Sequence, residues 1–594
     1  MEKDPRNEYQ RRLEKRRAEA DHQEAWHSRI AYVRLSVFIV AGVTAWVSIH
    51  LHAFSSWWLL VPLSAFFILV PWHSGVKQKL ERLKRSIQFY TQGIARLDNQ
   101  WDNSGEQGDR FIDASHPYAQ DLDLFGKSSL FQLLCRARTH GGEEKLAAWI
   151  KYPATLEEIR ARQSAVLELR PDLDLREDLA VLGPDMNAGV TPKPLIQWAQ
   201  NPQILPNRSA RAAAAFIALL AIASCVIWLY YQEPRWLLLM ILVDAIFVYS
   251  LRRPVRTVVR GAEKSCGQLK LLSLVLERLE KEQFKTEHLK NLRRGLDHEG
   301  IAPSRLISRL DRLIALLESR HNQFFAPVAF LLLWTVQLAF FIEGWRSKYG
   351  QDIAGWLDAT AEIEALSSLA GYAYENPEDP FPGFSELSPC FEGRGLGHPM
   401  LPRSECVYND VRFTDETRVF VVSGSNMSGK STLLRTVGIN AVLAMTGAPV
   451  RAKSLRMSIL TIGASIRVMD SLKKGTSRFY AEITRLKQLV TLADGPVPLL
   501  FLLDELLHGT NSRDRRIGAE AIVKGLIRRS AIGMLTTHDL ALAHIEDDLA
   551  SRIANVHFMD HMENGRITFD YRLRRGVVRK SNALELMRSI GLEV

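Results

Sequence analysis

Residues 419–446 read VFVVSGSNMSGKSTLLRTVGINAVLAMT, and no other stretch of this chain constrains its fold as tightly. A short apolar run ends in a glycine-rich turn, and the residues after the turn place apolar side chains at helical spacing. Strand, tight turn and helix in that order call for a parallel sheet flanked by helices, hence an α/β domain. The turn, Gly424-Ser425-Asn426-Met427-Ser428-Gly429-Lys430-Ser431, fits GxxxxGK[ST] in full, and Thr432 follows it. Its glycines let backbone N–H groups close on phosphate oxygens at a helix N-terminus. Lys430 is then placed for the β- and γ-phosphates, and the Ser431 hydroxyl for Mg²⁺.

Two more strand-like runs follow. PVPLLFLLDELLHGT ends in Asp504-Glu505, where Asp504 suits the water shell of a metal and Glu505 suits the attacking water. AIGMLTTHDL ends in Thr537-His538, and a histidine one strand beyond the acidic pair is placed to sense a γ-phosphate. The three motifs in this order specify a P-loop ATPase domain of ABC-like type. ATP and Mg²⁺ are the expected cofactors, with Glu505, His538 and Lys430 catalytic and Ser431 and Asp504 on the metal.

The same chain carries apolar runs of membrane length. Leu35–Ile49 and Ala53–Trp72 flank HLH, and Ala212–Tyr231 and Trp236–Leu251 flank QEPR, so each pair reads as a helical hairpin. A hydrocarbon core of roughly 30 Å needs about 20 apolar residues, which Arg34 and Tyr32 help the short first run to reach by snorkelling. Lys and Arg crowd the outer flanks of both hairpins and are absent from the HLH turn, which puts the flanks in the cytoplasm. Asp244 is then an intramembrane acid. A fifth run, 324–342, is long enough to span, but a fifth crossing would carry the glycine-rich turn outside; it is expected buried in a soluble domain or on the bilayer surface. The localisation expected is the cytoplasmic membrane, multi-pass, with the ATPase domain in the cytoplasm.

The formal charge of +10 suits anionic partners or positive-inside flanks. Five cysteines lie far apart without a CxxC pair, which argues against a zinc site or a disulfide framework and fits a reducing compartment. The charged N-terminal stretch is no cleavable signal. The expected organisation is multidomain. A basic helix (1–30) and hairpin 1 (31–75) lead into the first segment of a helical core (76–207, family-like from about 120). Hairpin 2 (208–252), the second core segment (253–375), a proline-rich linker (376–400) and an α/β domain (401–594) follow. The fold class is thus an α-helical core with transmembrane hairpins plus a C-terminal α/β P-loop domain.

On these residues the chain resembles the MutS family. Its glycine-rich turn is similar to the family's T-G-P-N-M-G-G-K-S-T, and GTSRFYAEITRLKQL is similar to S-T-F-x-x-E at Ser477, Phe479 and Glu482. DELLHGTNSRD resembles D-E-x-x-x-G-T-S-x-x-D, with Asn511 before Ser512. ANVHFMD resembles the N-V-H segment, and GVVRKSNALELMRSIGL the C-terminal pattern, with Asn582-Ala583 in place of an aromatic and Gly. Residues 128–169 and 362–377 resemble the start and end of the family's helical core.

The resemblance implies a homodimer in which Ser477 of one subunit reaches toward the γ-phosphate held by the other, with Glu482 near the nucleotide. It also implies DNA as a partner. The family's mismatch-reading Phe-x-Glu has one counterpart, Phe384-Ser385-Glu386, which lies beside the ATPase and is taken as chance; DNA contact is therefore expected without mismatch specificity. Where the family carries a DNA clamp this chain has the second hairpin. Cys406 stands eighteen residues before Gly424, at the place of the family's adenine-stacking aromatic, with Tyr408 nearby as a substitute. The other reading is an ATP-driven scaffolding or mechanical device at the membrane that never touches DNA. Transport is disfavoured because the LSGGQ signature is absent.

Overall fold

The computed structural model describes residues 4–51, 55–182, 192–205, 208–297, 300–425, 427–467, 478–507, 510–537, 550–563 and 566–577. The chain divides into two compact units. One comprises Met1–Arg136, Leu146–Leu173 and Leu366–Val594; the other Ala137–Lys145 and Asp174–Ala365. Most of the chain is helical, and every strand among the described residues lies beyond residue 382.

The strands are β1 Gly383–Phe384, β2 Phe391–Leu396, β3 Asn409–Phe413, β4 Val419–Ser423, β5 Ser454–Met457, β6 Thr461–Ser465, β7 Leu499–Leu503, β8 Ile532–Thr537, β9 Ile553–His557, β10 Asp560–Glu563, β11 Arg566–Phe569 and β12 Arg574–Arg575. Six of them form one sheet in the order β12-β9-β4-β8-β7-β6, parallel except at the β12 edge. A second sheet runs β1-β5-β2-β3, and β10 pairs with β11. VFVVS, LLFLL and IGMLTT are buried at every position, as a parallel sheet covered on both faces requires. Leu499, Phe501 and Leu503 share a core with Leu486 and Leu489 of the helix Arg478–Ala493 and Ala519 and Val523 of the helix Ser512–Arg528. The other face takes the helix Lys430–Thr446. Its Gly438 sits so close that a Cβ there would lie 2.7 Å from Leu502 Cδ1.

In the same unit, the basic N-terminal stretch and the first apolar run form one continuous helix, Pro5–Trp46. It pairs antiparallel with Leu60–Leu97, as the contacts Tyr9–Tyr90, Trp26–Trp72 and Arg34–Phe66 require. The distal halves pack through Tyr9, Leu13 and Tyr90, while the apolar halves turn Phe38, Val43, Phe67 and Ile68 outward, each more than half exposed.

The second unit builds its core around Trp356, Leu306, Leu310 and Ile314. A buried ion pair, Arg346–Glu343 at 2.8 Å, is fully bonded there: Arg346 donates to the carbonyls of Trp198 and Pro202, and Glu343 accepts from Ile204 N. The helices Arg208–Tyr231 and Arg235–Glu280 flank the QEPR turn. The run 324–342 is not one helix. It breaks at Leu333, whose φ is +48°, into Ala326–Leu331 and Trp334–Tyr349, and the latter lays Val336, Ala339 and Ile342 into this core.

By length and composition, three helices among the described residues suit a membrane crossing: Pro5–His50, Trp57–Leu97 and Ser209–Tyr231, with mean hydropathy 1.9, 1.7 and 2.5 over their best windows. The fourth expected span, Trp236–Leu251, is not among them. It opens a longer helix in which Asp244 interrupts the apolar run and Arg235 and Arg252 bound it closely.

Candidate functional site

β4, β7 and β8 lie side by side and end at the same edge of the sheet. In an open parallel sheet this edge is where ligands bind. The glycine-rich turn leaves β4 there and enters the helix Lys430–Thr446 through Gly429, whose φ of +97° only glycine adopts without strain. Lys430 Nζ donates to the carbonyls of Gly424 (3.0 Å) and Ser425 (2.8 Å), so the ammonium is held inside the loop it would share with phosphate. Burial pulls its pKa below the ordinary lysine value, and Glu505 and Asp504 oppose that shift. A bound polyphosphate would supply the charge this half-desolvated cation lacks.

β7 delivers Asp504 and Glu505 opposite the turn. The Ser431 hydroxyl donates to Asp504 Oδ2 at 2.6 Å, which brings together the hydroxyl and carboxylate that a hard cation with oxygen ligands prefers. Thr536 of β8, fully buried, completes the cluster: its hydroxyl donates to Asp504 Oδ1 and accepts from Glu505 N at 3.0 Å. Glu505 and Leu507 both have positive φ, +48° and +57°, so the chain bends sharply after β7. Such residues cost about 1–3 kcal/mol each and persist only where their surroundings hold them. Thr536 holds the first. Glu482, buried on the helix Arg478–Ala493, holds the second by accepting from Leu507 N. Glu482 is therefore built into the bend after the acidic pair.

A cleft opens beside the turn. Met427, Gly429, Lys430, Ser431, Thr432 and Glu505 line the side next to the turn. Its other wall includes His398, Cys406, Phe558 and Tyr571. Among the described lining residues Phe558 and Tyr571 are the aromatic ones; Tyr408 instead packs its ring on Gly397. The Tyr571 ring covers Gly429, where a Cβ would lie 3.0 Å from Cδ1, and Asn409 secures the segment by donating to Tyr571 O and accepting from Leu573 N. Burial pushes the His398 imidazole down to about 4, so it is neutral at pH 7. Its Nδ1 accepts from Met400 N (3.3 Å), which leaves the proton on Nε2. Ser425 and Ser428 have buried hydroxyls without a partner among the described residues.

Lys430, Ser431, Asp504 and Glu505 thus converge, and Gly424, Ser425, Met427, Ser428, Gly429 and Thr432 frame them. Asn426, Ser477 and His538 lie outside the described residues. Sequence reading missed Thr536, His398 and Tyr571. Thr536 sits one residue before the Thr-His pair that drew notice, and Tyr571 lies far beyond any local motif.

Residues 420–593 match the family model described as MutS domain V. The chain is 34% identical over 197 residues to the DNA mismatch repair protein MutS of an Exiguobacterium strain, which covers 32% of this chain and 23% of that protein. It is 31% identical over 254 residues to the DNA mismatch repair protein MutS of Thermotoga neapolitana, covering 42% and 30%. It is 32% identical over 206 residues to the endonuclease MutS2 of Streptococcus thermophilus, covering 33% and 24%. The matched stretches span less than a third of each of these relatives.

Proposed function

The chain belongs to the MutS family through its C-terminal domain, and from that premise we propose that it is a membrane-anchored ATPase that binds and hydrolyses Mg²⁺-ATP as a dimer. The observation that carries this reading is the convergence of Lys430, the Ser431–Asp504 pair and Glu505 at the edge where three parallel strands end. Lys430, Ser431 and Asp504 would hold the nucleotide and its metal, which supplies charge neutralisation at the phosphates when bound. Glu505 would accept the proton of the attacking water. Ser477, His538 and Asn426 join the site on the strength of the family resemblance, Ser477 from the partner subunit. Neutral His398 and the Tyr571 ring suit a purine face.

Membrane anchoring is supported by three helices of spanning length with outward apolar side chains, and the basic flanks favour a cytoplasmic ATPase. Two relatives are named as mismatch repair proteins, which supports a repair-type role on DNA. Contact through phosphates, by an excess of Lys and Arg, is the form the net charge of +10 favours. The second reading, a membrane device that works without DNA, draws on the same apolar helices. Matched and mismatched duplexes titrated at two salt concentrations separate the two.

Two substitutions test the ATPase reading. Lys430→Ala deletes a charge-assisted phosphate contact and should weaken nucleotide binding itself. Glu505→Gln keeps shape but removes the base, so ATP should bind while turnover falls by about 10²–10⁴-fold. Parental hydrolysis by Glu505→Gln would overturn the assignment.

A further inference from the structure

The paired helices Pro5–Trp46 and Leu60–Leu97 carry basic residues along much of their length, but those residues are treated in two different ways. In the distal half each named cation meets an acid: Arg11 and Arg12 meet Glu8 at 2.7 and 2.8 Å, Arg16 meets Glu19 at 3.0 Å, Arg6 meets Asp98, and Arg96 meets Glu375 at 2.5 Å. Arg11 and Arg12 hold the Glu8 carboxyl down at about 2. Where the apolar halves begin, the pattern stops. Arg29, Arg34 and Lys77 have no carboxylate partner among the described residues, and the His27 and His73 rings meet there at a tilt, with centroids 4.7 Å apart.

Within this cluster the donors outnumber the acceptors. Arg34 Nη1 lies 2.5 Å from His73 Nδ1, and since the guanidinium can only donate, the imidazole proton is on Nε2. That Nε2–H and the Arg34 Nε–H are both buried without an acceptor among the described residues. Trp26 and Trp72 pair at 6.1 Å on the same level, with the Arg29 guanidinium 5.8 Å from the Trp26 ring. Next to them the surface turns apolar, with Leu35, Phe38 and Ile39 each more than half exposed. Tryptophan and unpaired arginine at the edge of an apolar band are what a headgroup layer accommodates.

We propose that this seam binds the phosphate of an anionic phospholipid, with Arg34 and Lys77 meeting its charge and His73 donating to its oxygens. The proposal rests on the membrane reading, and it commits to a ligand class: a phospholipid whose headgroup carries net negative charge, which phosphatidylcholine lacks because its choline cation offsets the phosphate. The five distal arginines named above are already bonded to acids, so the same helices contain paired sites that serve as a control.

The test uses the full chain in neutral detergent, equilibrated with equal amounts of phosphatidylglycerol and phosphatidylcholine and read by native mass spectrometry. The parent should retain phosphatidylglycerol preferentially. Arg34→Gln with Lys77→Gln should lower that retention by about tenfold or more, since two charge-assisted contacts are lost. Arg16→Gln, at a paired site, should leave it unchanged. Equal retention of the two lipids by the parent, or undiminished phosphatidylglycerol on the double variant, would overturn the proposal. In a second arm, millimolar inorganic phosphate that binds without lipid and displaces phosphatidylglycerol would assign the seam to the free ion and overturn the lipid source. Recovery of the chain without detergent in the soluble fraction would remove the membrane premise, and the phosphate arm would then decide the cluster alone.

Discussion

The hydroxyl of Thr536 serves two neighbours at once, fixing one oxygen of Asp504 and the backbone N–H of Glu505. Without it, a strained residue with φ of +48° loses its restraint and a part-buried N–H loses its acceptor. Leaving such a group unsatisfied costs about 1–3 kcal/mol. Thr536→Val conserves volume, so its effect should come from those bonds alone. On the proposed ATPase reading, turnover should fall about tenfold or more while the KM for ATP changes little, because Lys430 and Ser431 would still hold the phosphates. Thr536→Ser should restore most of the rate. Steady-state hydrolysis decides it, and a valine variant as fast as the parent would show that Glu505 needs no such support. At this scale the sequence was legible wherever chemistry is contiguous. Gly424 to Ser431 is a single local motif, and an acid pair at the end of an apolar strand is nearly so. Thr536 reaches the acidic pair, and His398 and Tyr571 reach the cleft, only through the fold, which pairs β4 with β8 and brings in chain from both directions. No local pattern carries that information.

At the scale of elements, apolar runs announced the long helices, because about 20 residues without charge have few other uses. Their exact extents were less legible. The basic N-terminus joins the first apolar run without a break, since nothing between Pro5 and Trp46 stops a helix. The break at Leu333 was hidden for the opposite reason: FLLLWTVQ is apolar on both sides of the kink, and packing rather than glycine or proline fixes it. The helix Arg208–Tyr231 also carries a pattern that composition conceals. Ala214, Ala218, Ala221 and Ser224 are buried and recur at helical spacing, while Phe216, Leu219 and Ile222 point outward. Small residues on one face let a second helix approach closely, and in lipid such packing replaces the missing hydrophobic drive. Ala221→Leu should overpack that face and cost about 1–3 kcal/mol. Leu219→Ala, on the outward face, should cost far less in detergent. Thermal unfolding followed by gel filtration orders the two, and the reverse order would mean that the alanine face is not the packed one.

Across the whole molecule, a line of buried polar residues links the N-terminal helix pair to the candidate site within one compact unit. Tyr9 and Arg96 both bond Glu375, the last residue of the helix Ile353–Glu375. The adjoining linker supplies Asn376 and Asp379, which accept from the two arms of Arg451 at 3.1 Å each. Arg451 N in turn donates to Asn440 of the helix that begins at Lys430, and Asn440 donates to Gly397 O, beside His398. The proline-rich stretch read from sequence as a linker is therefore bonded on both sides. Its charged residues were legible as charges but not as partners, because each partner is remote in sequence. If motion at the candidate site is passed to the N-terminal helix pair, this line of bonds is a contiguous route for it. Contiguity alone does not establish coupling; a mutant cycle does. Tyr9→Phe removes one hydroxyl at the far end, and Arg451→Lys keeps charge but cannot fork between Asn376 and Asp379. The two sites share no direct contact, so independent effects on nucleotide affinity should add within about 0.3–0.5 kcal/mol. Coupling through Glu375 and the linker should instead leave an interaction energy above that limit, and it should vanish when Glu375→Gln is the common background. Strict additivity in the parent background would show that the helix pair and the nucleotide site respond separately, however continuous the bonds between them.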